Sequence, residues 1–121
     1  EISDELFRID DGVRAGFGWQ LGPYETWDAL GLKETLTKMK EANINVASWI
    51  QDMVDAGHES FYKVEKGVKH YYDVVSKSYL PIPGTENLVV LDNLREEHTI
   101  WKNKGATIID LGDGILNLEF H

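Results

Sequence analysis

Gly18-Trp19-Gln20-Leu21-Gly22-Pro23-Tyr24-Glu25-Thr26-Trp27-Asp28-Ala29-Leu30-Gly31 punctuates the first half of the chain. Pro23 suits the first position of a helix, where its missing N–H is no loss. The spacing predicts a short helix from Tyr24 to Leu30, stopped by Gly31. Upstream, Ile2 to Arg14 reads as a helix with Leu6, Ile9 and Val13 on one face. Ser3 is its expected N-cap, and Gly16 and Gly18 are expected to stop it. Downstream, Leu32 to Glu41 reads as a helix with Leu32, Leu36 and Met39 on one side. Val46 to Ala56 follows, with Asn45 as N-cap, Gly57 as C-cap and Val46, Trp49, Ile50, Met53 and Val54 as its apolar face.

The period then changes. Phe61 to Val64 and Val68 to Tyr72 are rich in aromatic and β-branched residues, with Glu65-Lys66-Gly67 between them as a tight turn. A hairpin over 61–72 is expected. Leu80-Pro81-Ile82-Pro83-Gly84 reads as extended, because the residue before each proline avoids the helical region. Leu88 to Arg95 fits either a short helix or a strand. Ala106 to Asp110 and Ile115 to Phe120 alternate as strands around Asp113-Gly114, a strong hairpin-turn signal. Tyr79 to Thr85 is the best linker candidate, with a second boundary near Trp101 to Gly105.

The 121 residues allow one compact domain at most. A 42% hydrophobic content suffices for a core. Twelve Lys+Arg against 21 Asp+Glu give a net charge of −9, which argues against nucleic acid and anionic membrane as partners. Absence of cysteine excludes disulfides, thiolate metal sites and a thiol nucleophile, and fits a cytoplasmic setting. No apolar run approaches the roughly 18 residues of a membrane span. The chain starts at Glu1 and ends within an alternating strand, so a piece of a larger protein is expected.

The residues assemble no active site. Gly16-Phe17-Gly18-Trp19-Gln20-Leu21-Gly22 misses the spacing of a dinucleotide loop and follows a helix where that loop needs a strand. His58, His70, His98 and His121 show no helical metal-ligand spacing. His58-Glu59-Ser60 are neighbours in sequence, which does not make a triad. Asp10 with Asp11, Glu96 with Glu97, and Asp110 with Asp113 read as solvated pairs in an acidic chain. Asp28 is set apart by Trp27 and Ala29, and is expected to be partly buried and tied to a backbone N–H. Of the four tryptophans, Trp19 lies in a loop and is the candidate contact for another domain.

Arg8 to Gly16 together with Gly18 to Gly31 resemble the C-terminal helical domain of 3-hydroxyacyl-CoA dehydrogenases. That family carries an Ile-Asp helix, a Gly-rich loop, Gly-Pro-aromatic, an Asp and a Gly in this order. Trp101 to His121 looks like the opening β-hairpin of an enoyl-CoA hydratase (crotonase-like) domain. The pair of resemblances is similar to prokaryotic fusions that join dehydrogenase and hydratase on one chain, with two copies of the dehydrogenase C-terminal domain between.

The resemblance implies a mainly α fold of the 6-phosphogluconate dehydrogenase C-terminal type, with a β-hairpin insertion and a C-terminal β stub. It implies a dehydrogenase-type domain over 1–85, a connector over 86–105 and a truncated hydratase hairpin over 106–121. No catalytic, cofactor or metal residue of the family maps onto this sequence. Gly22, Pro23, Asp28 and Gly31 map as scaffold. NAD and acyl-CoA would be bound in the parent, whose nucleotide domain, first helical copy and hydratase domain are the implied partners, and the piece itself could dimerise. The implied function is a central scaffold domain in fatty-acid β-oxidation, in a parent that oxidises 3-hydroxyacyl-CoA and hydrates enoyl-CoA. The competing reading is a free-standing acidic interaction module.

Overall fold

The computed structural model describes residues 3–85, 88–95 and 97–121. Ile2, at the start of the first expected helix, and Glu96, of the Glu96–Glu97 pair, lie outside them. The described chain runs α1 (Leu6–Phe17), α2 (Pro23–Leu30), α3 (Leu32–Glu41), α4 (Ser48–Asp55), β1 (Tyr62–Glu65), β2 (Val68–Asp73), β3 (Ser78–Pro81), α5 (Leu91–Leu94), β4 (Thr99–Lys102), β5 (Ala106–Gly112) and β6 (Ile115–Phe120). The strands form two three-stranded sheets, ordered β1-β2-β3 and β4-β5-β6. The β4-β5 and β5-β6 pairs are antiparallel. The expectation of a mainly α fold is therefore overturned: the chain is mixed, with five helices and two sheets among the described residues.

Two strands account for the difference. Ser78–Pro81 falls where a linker was expected, yet it lies beside β2 as the outer strand of the first sheet. Pro81 is tolerated there because an outer strand leaves one row of N–H groups unneeded. Thr99–Lys102 falls partly on the second expected boundary and pairs with β5 instead. Neither segment alternates long enough to be read as a strand alone. Leu88 to Arg95 resolves into the short helix α5.

The helices come close to their sequence reading, with shifted ends. Helix α1 runs through Gly16 and stops at Gly18, whose φ of 67° caps it in the left-handed region. Its N-cap is Glu5; the Ser3 hydroxyl instead accepts the Glu5 N–H. Its buried face is Leu6, Phe7 and Asp10, not Leu6, Ile9 and Val13. Helix α4 is capped by Ala47 and Ala56 rather than Asn45 and Gly57. Both two-residue turns, Lys66-Gly67 and Asp113-Gly114, hold positive φ at both positions, as hairpins of right-handed twist favour.

The chain divides into two units, one of residues 1–63 and 70–80, the other of 64–69 and 81–121. The first has a core of Leu6, Leu32, Leu36, Ile50, Met53, Phe61 and Tyr72. Phe61 is its centre, with no exposure and with Tyr24, Trp27 and Trp49 rings at 5.0, 5.4 and 5.9 Å. In the second unit Ile109 and Thr107 are buried on β5, and α5 contacts that strand. Within the same unit, the Asn93 amide donates to the Gly67 carbonyl at 3.4 Å.

Candidate functional site

Gly22, Pro23 and Asp28, with Asp10, meet at the junction of α1, α2 and β1. Helix α2 begins at Gly22, which has no side chain to cap it, and Pro23. The cap comes from another helix. Asp10 on α1 accepts the Tyr24 N–H at 2.9 Å on one oxygen and the Glu25 N–H at 3.1 Å on the other. The second oxygen also accepts the Tyr62 hydroxyl at 2.7 Å. Asp10 is fully buried. A carboxylate there is held by three donors and by the positive end of a helix, which together offset its removal from water.

Gly22 has a steric reason. A Cβ at this position would fall onto the Cα, Cβ and Cγ of Asp10, closer than real carbons approach. The glycine lets the two backbones meet so that Asp10 can reach the helix start. Glu25, three residues on, returns its carboxylate to the Gly22 N–H at 2.9 Å. The Arg14 guanidinium bonds Glu25 and Asp11. Glu25 is nearly buried, whereas Asp11 is open to solvent.

Asp28 makes a second tether from the same helix. One oxygen accepts the Phe61 N–H at 2.7 Å and the other the Tyr62 N–H at 2.9 Å. The backbone bond expected for this residue is thus present twice. It fixes the chain where β1 begins, and so sets Phe61 into the core and the Tyr62 hydroxyl onto Asp10. Gly31 joins α2 to α3 at a φ of 87°, a left-handed conformation that disfavours side chains. Burial first, and then the bond to Asp10, push the Tyr62 phenol well above its ordinary pKa. Burial, with Asp10 adding, raises Tyr24 as well.

The remaining candidates do not gather. Trp19 is exposed beside Phe17, the ring centroids 6.1 Å apart. His58 lies against the Tyr72 and Tyr79 rings. Glu59 bonds Lys33, and this hydrogen bond lowers its pKa. The Ser60 hydroxyl donates to the Tyr62 carbonyl at 2.6 Å. Thus His58, Glu59 and Ser60 point to three different neighbours. Gly16 is inside a helix, so the glycine run forms no phosphate cradle. In the second unit, His121 bonds the Thr107 hydroxyl at 2.8 Å in a shallow recess with Arg95 and Glu119. Among the described residues no three His, Asp or Glu side chains group as a metal site, and no helix is long and apolar enough to cross a membrane.

Sequence reasoning missed Asp10, which it paired with Asp11 as a solvated face, and it missed Tyr62. One signal was available for Asp10. A helix opening with Gly-Pro supplies no capping side chain, so a buried acceptor must come from elsewhere.

Comparison with known proteins points one way. The chain is 42% identical over 122 positions to the "Probable 3-hydroxyacyl-CoA dehydrogenase" of Bacillus subtilis (strain 168). It is similar to a segment of that protein. The alignment takes in 100% of this chain and spans 15% of the relative's length. No family model and no solved structure matches the chain.

Proposed function

We propose that this chain is a supporting, non-catalytic part of a longer 3-hydroxyacyl-CoA dehydrogenase. The observation that carries the reading is the similarity along the whole chain to a small share of a protein bearing that name. The Asp10 and Asp28 tethers are spent on backbone amides, in keeping with a structural role. In the longer enzyme, NAD and the acyl-CoA would be held by other domains, where NAD would supply the hydride acceptor and a base there would take the hydroxyl proton. Residues 1–85 form a dehydrogenase C-terminal-type domain in its second copy. Residues 86–105 connect it to a hydratase domain opening at 106–121, so the parent also hydrates enoyl-CoA, in the cytoplasm. Trp19 is a contact to a neighbouring domain.

The test is to assay the full-length product of the gene, and this chain alone, for 3-hydroxyacyl-CoA oxidation followed by NADH absorbance. Turnover is expected from the full-length protein only. Turnover by the 121 residues alone, or none by the full-length protein, overturns the proposal.

A further inference from the structure

The second sheet carries its more apolar side outward. Directly opposed residues of antiparallel strands share a face. Trp101, Ile108, Leu116, Leu118 and Phe120 therefore lie on one side of β4-β5-β6. On this side Leu116 is 59% exposed, Leu118 53% and Phe120 76%. Thr107 and Ile109, on the opposite side, are buried. Exposed apolar groups of this size, contiguous on one face, mark an interaction surface.

β6 also has a free edge. The His121 N–H donates to the Gly105 carbonyl at 3.0 Å. Antiparallel alternation then turns the amides of Asn117 and Glu119 toward β5 and those of Leu116, Leu118 and Phe120 away from it. Among the described residues no strand takes up that outer row. Outer strands that stay in solvent are normally blunted by lysine, proline or short length. β6 has six residues, no lysine, no proline and one charge, Glu119.

We infer that this edge and face seat a β-strand and an apolar layer supplied by the same polypeptide outside these 121 residues. The inference rests on the reading of the chain as part of a longer dehydrogenase. The similarity to the relative extends through β6, while the chain spans only 15% of that relative. Further polypeptide of the same molecule is present at high effective concentration, whereas a second copy has to arrive from solution.

Amide hydrogen exchange on the full-length product of the gene tests this, with β6 as its own control. The Asn117 and Glu119 amides, bonded to β5, are protected in either case. Covering the edge protects the Leu116, Leu118 and Phe120 amides too, by at least about 100-fold and independently of protein concentration. Replacing Leu118 by lysine then lowers the melting temperature by several degrees, while the substitution is silent on an open face. Fast exchange of the outer row overturns the inference, and protection that grows with concentration overturns it in favour of a second copy. Dehydrogenase activity, measured on the same sample, separates the two proposals. An active enzyme with an open β6 edge refutes only the seat, and an inactive protein with a covered edge refutes only the assigned function.

Discussion

Asp10 shows how much one residue can organise. Its carboxylate completes the start of α2 and holds the Tyr62 hydroxyl, all without solvent. Replacing Asp10 by alanine removes the acceptor that the Tyr24 and Glu25 N–H groups and the Tyr62 hydroxyl share, at a cost on the order of 3 kcal/mol. Urea denaturation should show an unfolding free energy lower by that amount and a correspondingly lower midpoint; an unchanged midpoint contradicts the tether. Replacing Tyr62 by phenylalanine removes one hydrogen bond to a charged group, so a loss of about 1.5–3 kcal/mol is expected. Tyr62 also sets a pH dependence. Its folded-state pKa lies above its ordinary value of 10. The folded phenol therefore keeps its proton where the unfolded one releases it. This contribution is fully present below about pH 10 and declines above it, by about 1.4 kcal/mol per unit. Stability curves measured from pH 9 to 11 should fall less steeply for the Tyr62→Phe protein than for the parent.

At the scale of elements, α2 is a short helix held at both ends by its surroundings. Eight residues do not make a stable helix alone. Asp10 holds its first turn, and Asp28 in its last turn grips the two amides that open the β1 region. Replacing Asp28 by alanine leaves the Phe61 and Tyr62 N–H groups without these partners, and Phe61 is the centre of the core. A loss of about 2–4 kcal/mol is expected, with quenching changes from Trp27 and Trp49 as their packing on Phe61 loosens. Fluorescence matching the parent protein would refute the tether. The helices were legible because glycine and proline mark their ends and apolar residues repeat on one face. Their capping was not: Asn45 and Ser3 are sound capping residues, yet the helices begin after Ala47 and Glu5. Strands β3 and β4 were illegible for another reason: four residues carry too little period, and only pairing with β2 and β5 makes them strands.

Across the whole molecule the charge is the simplest quantity with a consequence. At −9, like charges repel one another in the compact state. The ion pairs Arg8–Glu5, Lys33–Glu59 and Arg95–Asp92 are largely exposed and contribute little. Raising ionic strength from about 0.01 M to about 0.15 M shortens the screening length from about 30 to about 8 Å. Repulsion then weakens more than these pairs do, and the melting temperature should rise. A fall on adding salt would mean that the pairs outweigh the net charge.

The sequence by itself determined the four N-terminal helices, the hairpin around Lys66-Gly67 and the turn at Asp113-Gly114. Each depends on interactions a few residues apart, which glycine, proline and apolar spacing express directly. It also carried the likeness to dehydrogenases in the run from Gly18 to Gly31. Only the tertiary structure decided that the fold is mixed rather than mainly helical, and that Asp10 is buried while Asp11 is not. Those outcomes depend on partners far along the chain: Tyr62 is 52 residues from Asp10, and Phe61 is 33 from Asp28. Adjacent acids look alike in sequence, and packing alone decides which one faces the amides of another helix.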